Sequence, residues 1–170
     1  MTHFHNTTCV RFVPKTSEHL DYLYITPLGG CWSSVGRLGN GRQKLSLGEQ
    51  GGCMNHGVIV HELMHALGFF HEQNRYDRDD YVEIHWENII PQYKRNFRKV
   101  DRAFATHLKT SYDYSSIMHY SRWTFAKRYD GPTMTPKKKT TSRLGRQRQL
   151  SPTDQLEINR LYKCPTGELG

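Results

Sequence analysis

Residues 61–72 read His-Glu-Leu-Met-His-Ala-Leu-Gly-Phe-Phe-His-Glu, and this stretch narrows the local folds open to the chain. On a helix of 3.6 residues per turn, His61 and His65 lie one turn apart, about 40° apart around the axis. Both imidazoles therefore leave from one face. Were the helix to continue, His71 would stand about 15 Å further along the axis than His61, out of reach of the other two. The chain must turn back, and Gly68 is the residue that can do so, because glycine takes positive φ without a Cβ penalty. The spacing predicts a helix, a reversal and three rings returned to one point.

Three imidazoles in that arrangement suit zinc. Nitrogens at about 2.0–2.1 Å leave a tetrahedral ion one open position, the mark of a catalytic site. A water held there falls in pKa from about 15.7 toward 7. Glu62 directly follows His61, too close to be an easy third ligand on the same face, and is placed to take a proton from that water. One zinc ion per chain is expected, held by His61, His65 and His71.

A length of 170 residues suggests one domain with room for a core. Mean hydropathy is −0.76, polar for an enzyme, but 12% aromatics and clear apolar segments exclude a disordered chain. No apolar run approaches the roughly 20 residues of a membrane span. The formal charge of +8 is uneven: through Glu72 there are five Lys/Arg and five Asp/Glu, and the rest carries 19 basic and 11 acidic residues. The densest stretch runs from Lys137-Lys138-Lys139 to Arg143, Arg146 and Arg148. Without a recognition motif bearing interleaved aromatics, it does not read as a nucleic-acid surface. A solvated basic loop, or one that contacts an anionic matrix, fits better.

None of the four cysteines (Cys9, Cys31, Cys53, Cys164) lies in a Cys-x-x-Cys pair, which disfavours a thiolate zinc knuckle. Four cysteines permit three pairings, and spacing does not choose among them. An even count in a hydrolytic enzyme points to disulfides and an oxidising compartment. Asn6-Thr7-Thr8 is a glycosylation sequon consistent with secretion. The first residues lack the basic start and apolar stretch of a signal peptide, so signal and pro-segments are expected outside this chain.

Residues 9–13, 21–25, 31–36 and 43–47 read as short strands, the last two joined by a Gly39-Asn40-Gly41 turn. Gly51-Gly52 breaks the chain before a helix over 58–68. Residues 85–91 suggest a short helical segment, and 121–150 read as long loops. Ser151 as N-cap with Pro152 at the first helical position predicts a closing helix. Strands followed by the metal-motif helix make the class α+β.

With Ser116-Ile117-Met118-His119-Tyr120 added to 61–72 and to Arg75-x-Asp77-Arg78-Asp79, the chain resembles the astacin family of metzincin endopeptidases. Cys31-Trp32-Ser33 and the closing Leu150-Ser151-Pro152 with Asn159-x-Leu161-Tyr162 extend the resemblance over nearly the whole chain. Its wording at 6–14 and 86–89 is most similar to that of fish hatching-enzyme (choriolysin-like) members. The resemblance implies a two-subdomain metzincin fold: one peptidase domain, with 1–72 as the upper subdomain holding the zinc helix and 73–170 as the lower. It makes His61, His65 and His71 the zinc ligands, Glu62 the general base and Met118 the Met-turn, an apolar floor beneath the histidines. Tyr120 becomes the phenol that lies near the metal and stabilises the oxyanion. His119 is not a ligand in the family, and reads as packed or hydrogen-bonded.

The resemblance also pairs Cys9 with Cys164 and Cys31 with Cys53. It makes the strand around Trp32 and Ser34 an edge that pairs with an extended peptide substrate. It points to Arg146 or Arg148 for an acidic side chain after the scissile bond, although the local Gly-Arg-Gln-Arg departs from the usual Gly-Gln-Arg. Family catalytic domains begin some tens of residues earlier. The amino-terminal part is therefore expected outside this chain, leaving Glu72 without the mature amino terminus it meets in the family. A secreted zinc endopeptidase, with egg-envelope proteolysis as a candidate role, is the implied function. The contrasting expectation is a catalytically impaired fragment that binds matrix or glycan.

Overall fold

Asn55 starts the metal-motif helix. Its side chain accepts a hydrogen bond from the Gly57 N–H at 3.0 Å, satisfying a donor that the first helical turn leaves open. The helix then runs His56–Ala66 and buries Val60, Leu63 and Met64, positions three and four apart that share one face. It ends as the glycine requires. Gly68 stands at φ +108°, its N–H donates to the His65 carbonyl at 2.8 Å, and the Phe69 N–H donates to the Met64 carbonyl at 3.2 Å. This pair of bonds closes a Schellman motif, which satisfies carbonyls at the helix end while reversing the chain.

The computed structural model describes residues 1–128 and 130–165, and its architecture is α+β. Helices α1 (Thr2–Thr7), α2 (His56–Ala66) and α3 (Pro152–Leu161) accompany strands β1 (Tyr22–Thr26), β2 (Cys31–Ser33), β3 (Arg42–Leu47), β4 (Val82–Ile84) and β5 (Met134–Pro136). One sheet has the order β1-β3-β2. β3 pairs in parallel with β1, Tyr22 opposite Arg42, and antiparallel with β2, Cys31 opposite Leu47. Along β3, Gln43 and Leu45 are buried while Arg42 and Lys44 face out, the alternation of a strand with one covered face.

Two compact units emerge, 1–69 with 148–170, and 70–147. The first holds the three-stranded sheet with α1, α2 and α3. α3, which lies within the expected 73–170 segment, makes its contacts with the first part of the chain. The Cys9–Cys164 bond, an Asn159 amide on the Thr7 carbonyl at 3.2 Å and the Tyr162 hydroxyl on the Leu67 carbonyl at 3.1 Å tie it there. Its start is a capping box: Ser151 Oγ accepts from the Asp154 N–H at 2.9 Å, and Asp154 Oδ2 accepts from the Ser151 N–H at 2.8 Å.

Residues 9–13 are not a strand. Their N–H groups go to side chains instead, Val10 to Thr8 Oγ1 at 3.2 Å and Phe12 to the His5 Nε2 at 2.9 Å. Phe12 packs edge-on against the fully buried Phe4 of α1, ring centres 5.4 Å apart. Hydrophobic alternation there reflects packing on a short helix rather than sheet pairing. In the second unit β4 and β5 pair antiparallel, Val82 opposite Pro136, so 121–150 contains a strand where only loops were expected. Val82, Tyr112 and Met134 form its buried centre. Much of the rest is short 3-10 turns, at Glu72–Asn74, Arg78–Asp80, Trp86–Asn88 and Pro91–Phe97. Arg78 is buried and donates to the Gln73 and Phe97 carbonyls at 2.9 and 2.5 Å, bracing the turns that follow the metal motif.

Candidate metal centre

His61 and His65 leave α2 one turn apart, their rings perpendicular with centres 4.7 Å apart. After the Gly68 reversal His71 joins them: one ligand atom from each of the three histidines lies within 4.8 Å of the others. His65 is the best defined. Its Nδ1 lies 2.8 Å from the Phe69 carbonyl, which can only accept, so Nδ1 carries the hydrogen and Nε2 keeps its lone pair. A metal-ligating histidine needs that tautomer, fixed by a carbonyl behind it. The reversal at Gly68 thus does two things, returning the third candidate ligand and supplying the acceptor that orients the second. Burial, and then the neighbouring His61, lower the His65 pKa to about 4, which keeps the ring neutral.

Glu62 is 5% exposed, and its Oε2 has no hydrogen-bond partner among the described residues. Burial raises its carboxyl pKa to about 7. An orphaned buried carboxylate oxygen beside a three-imidazole donor set fits a metal ion such as zinc, with a water for the carboxylate to meet.

Tyr120 is brought to His71, ring centres 4.4 Å apart, with Phe97 and Phe125 edge-on at 5.7 and 5.8 Å. Met118 is 2% exposed, and its carbonyl accepts from the Glu72 N–H at 3.1 Å. His119 is buried and hydrogen-bonded at both nitrogens. Nδ1 donates to the Tyr120 carbonyl and Nε2 accepts from the Tyr112 hydroxyl, each at 2.7 Å. Glu72, expected to lack a charged partner, has one within the chain: Oε1 accepts from Arg75 Nη1 at 3.2 Å and from the Asp113 N–H at 2.8 Å. Arg75 also forks onto Asp77 at 2.9 and 2.8 Å.

Trp32 lies on β2, at an edge of its sheet, 41% exposed, with its indole N–H on the Gly29 carbonyl at 3.1 Å. Ser34 follows the strand half-buried, and two residues on the Gly36 N–H donates to the His65 carbonyl at 2.9 Å, tying this edge to the end of α2. Arg146 and Arg148 are exposed. The Phe69 carbonyl, Gln73 and Tyr112 are additions to the site that spacing does not reveal. Both disulfides, Cys9–Cys164 and Cys31–Cys53, are formed.

Comparisons with known proteins agree on one grouping. Zinc metalloproteinase nas-13 of Caenorhabditis elegans is 46% identical over 163 residues, covering 96% of this chain and 35% of its own length. High choriolytic enzyme 1 of Oryzias latipes is 48% identical over 164 residues, covering 96% of this chain and 58% of its own. The chain therefore spans between about a third and three-fifths of these relatives. The solved structure of high choriolytic enzyme 1, described as a hatching enzyme zinc-protease, superposes with a TM-score of 0.90 at 47% identity, covering 97% of this chain and 80% of that one. The model of the astacin peptidase family matches residues 1–163, and the chain belongs to that family.

Proposed function

We propose that this chain carries the catalytic machinery of a secreted, zinc-dependent endopeptidase that hydrolyses internal bonds of an extended peptide. The observation behind this is the convergence of His61, His65 and His71 within 4.8 Å. Zinc held by these three supplies a Lewis acid that brings the pKa of water toward 7. Glu62, buried with one carboxylate oxygen unpartnered among the described residues, is placed to accept a proton from the attacking water and return it to the leaving amine. The Tyr120 hydroxyl donates to the charge that develops on the carbonyl oxygen. Met118 provides an apolar floor for the histidines. An extended substrate adds to the free edge at Trp32 and Ser34 by main-chain pairing, and Arg146 or Arg148 receives an acidic side chain. Two disulfides support secretion. The likeness to a hatching enzyme supports egg-envelope protein as the substrate.

Purified, disulfide-bonded protein should hold one zinc per chain and cut casein. Glu62→Gln should abolish cleavage with zinc retained, and Tyr120→Phe should lower kcat by about 100-fold with little change in KM. A chain that neither retains zinc nor cuts any peptide would overturn the reading. A second reading, an impaired fragment that binds an anionic glycan or matrix, draws on the 19 basic against 11 acidic residues after Glu72. Heparin affinity that persists without zinc, with no proteolysis, would favour it.

A further inference from the structure

We propose that Gln73 and His119 are positioning residues for Tyr120, holding its backbone N–H and its carbonyl respectively and so setting where its phenol can reach. This rests on the reading that Tyr120 stabilises the oxyanion. Tyr120 lies outside regular secondary structure, so no helix or sheet ladder fixes its backbone. Side chains do. Its N–H donates to Gln73 Oε1 at 3.0 Å, and its carbonyl accepts from His119 Nδ1 at 2.7 Å.

Both grips are themselves immobilised. Gln73 is fully buried and His119 is 3% exposed. Because Nδ1 of His119 carries its hydrogen, Nε2 is left to accept from the Tyr112 hydroxyl, and the Tyr112 ring is stacked on Tyr81 with centres 4.8 Å apart. Gln73 follows the third histidine by two residues, and the Glu72 N–H holds the Met118 carbonyl at 3.1 Å. The segment that delivers His71 is therefore laced to the segment that delivers Tyr120, and the phenol takes its position relative to the ligand whose ring it faces.

The two ends of the Gln73 amide differ in use. Its Nε2 is buried without a hydrogen-bond partner among the described residues, a cost of burying the amide that its oxygen's bond to Tyr120 must offset. What the amide provides is its oxygen. A misplacement near 1 Å at a reacting centre is enough to cost about 100-fold in rate, so a looser pivot for Tyr120 should be visible in kcat.

The test uses the zinc-loaded chain and a fluorogenic peptide, with Gln73→Met and Tyr112→Phe each made alone and in the Tyr120→Phe background. Gln73→Met should lower kcat about tenfold with KM nearly unchanged and zinc content intact. In the Tyr120→Phe background the further loss should be less than about twofold. Losses that multiply in full, or an unchanged kcat, would overturn the proposal. Hydrogen exchange of the Tyr120 amide in the zinc-free protein gives an independent readout. It should quicken about tenfold in Gln73→Met while amides of α2 do not change, and an unchanged rate would count against the grip. Tyr112→Phe tests the other side should Gln73→Met not fold, and is expected to lower kcat only where Tyr120 is present. If Tyr120→Phe alone leaves kcat unchanged, the oxyanion reading fails, and exchange of the Tyr120 amide then decides the grip by itself.

Discussion

Protonating His119 would put a hydrogen on the nitrogen that now accepts from Tyr112, at a position 3% exposed. Burial is the main reason its pKa falls to about 4, with the Tyr120 carbonyl and Asp113 opposing the shift. A folded pKa below the unfolded value of about 6.5 contributes stability at neutral pH that disappears as pH drops from about 6.5 through 4. The contribution is on the order of 3 kcal/mol. Urea midpoints of the zinc-free protein should fall across that window, and an NMR titration should show the His119 ring neutral down to about pH 5. A ring that titrates near 6.5 would refute it. At this scale the sequence exposes what depends on local spacing. His61, Glu62, His65 and His71 are legible because helix geometry and one glycine constrain them. The Phe69 carbonyl behind His65 is invisible because a backbone oxygen has no letter, and the Gln73–Tyr120 bond joins positions 47 residues apart.

The reversal after α2 rests on one glycine. An alanine at 68 would find ordinary contacts, 3.7 Å from Leu161 and 4.0 Å from Gly36, so space is not the obstacle. The backbone is: φ +108° is strained for any residue with a Cβ. Gly68→Ala should destabilise by about 1–2 kcal/mol in thermal or urea unfolding. Because the same turn aims the Phe69 carbonyl at His65, it should also weaken zinc binding by about tenfold in a chelator competition. The helices were readable: α2 stops where Gly68 predicts a reversal and α3 starts at its Ser151-Pro152 signal, whereas the Asn55 cap of α2 emerges only in the structure. β4 and β5 were not, since three residues carry no period and their partners lie about 50 positions apart in the sequence. The strand expected at 9–13 shows the converse: alternation was present, but Phe4 and a ring nitrogen of His5 claimed the segment first.

On the scale of the molecule, long-range links do the holding. The Cys9–Cys164 bond spans 155 residues, and in the chain-entropy account closing so long a loop limits the unfolded state strongly. Replacing both cysteines by serine should lower stability by between about 2 and 5 kcal/mol, read from denaturant midpoints in protein with the Cys31–Cys53 bond intact. The three candidate metal ligands, by contrast, lie within eleven consecutive residues. Loop-closure entropy grows only with the logarithm of length, and this loop is among the shortest the chain must close. With His61, His65 and His71 as ligands, the turn at Gly68 would make metal capture a local event, one that need not wait for the distant disulfide. Zinc taken up at that stage would act as a clip on the last turn of α2, and its free concentration would set how long that turn persists before the rest of the chain arrives.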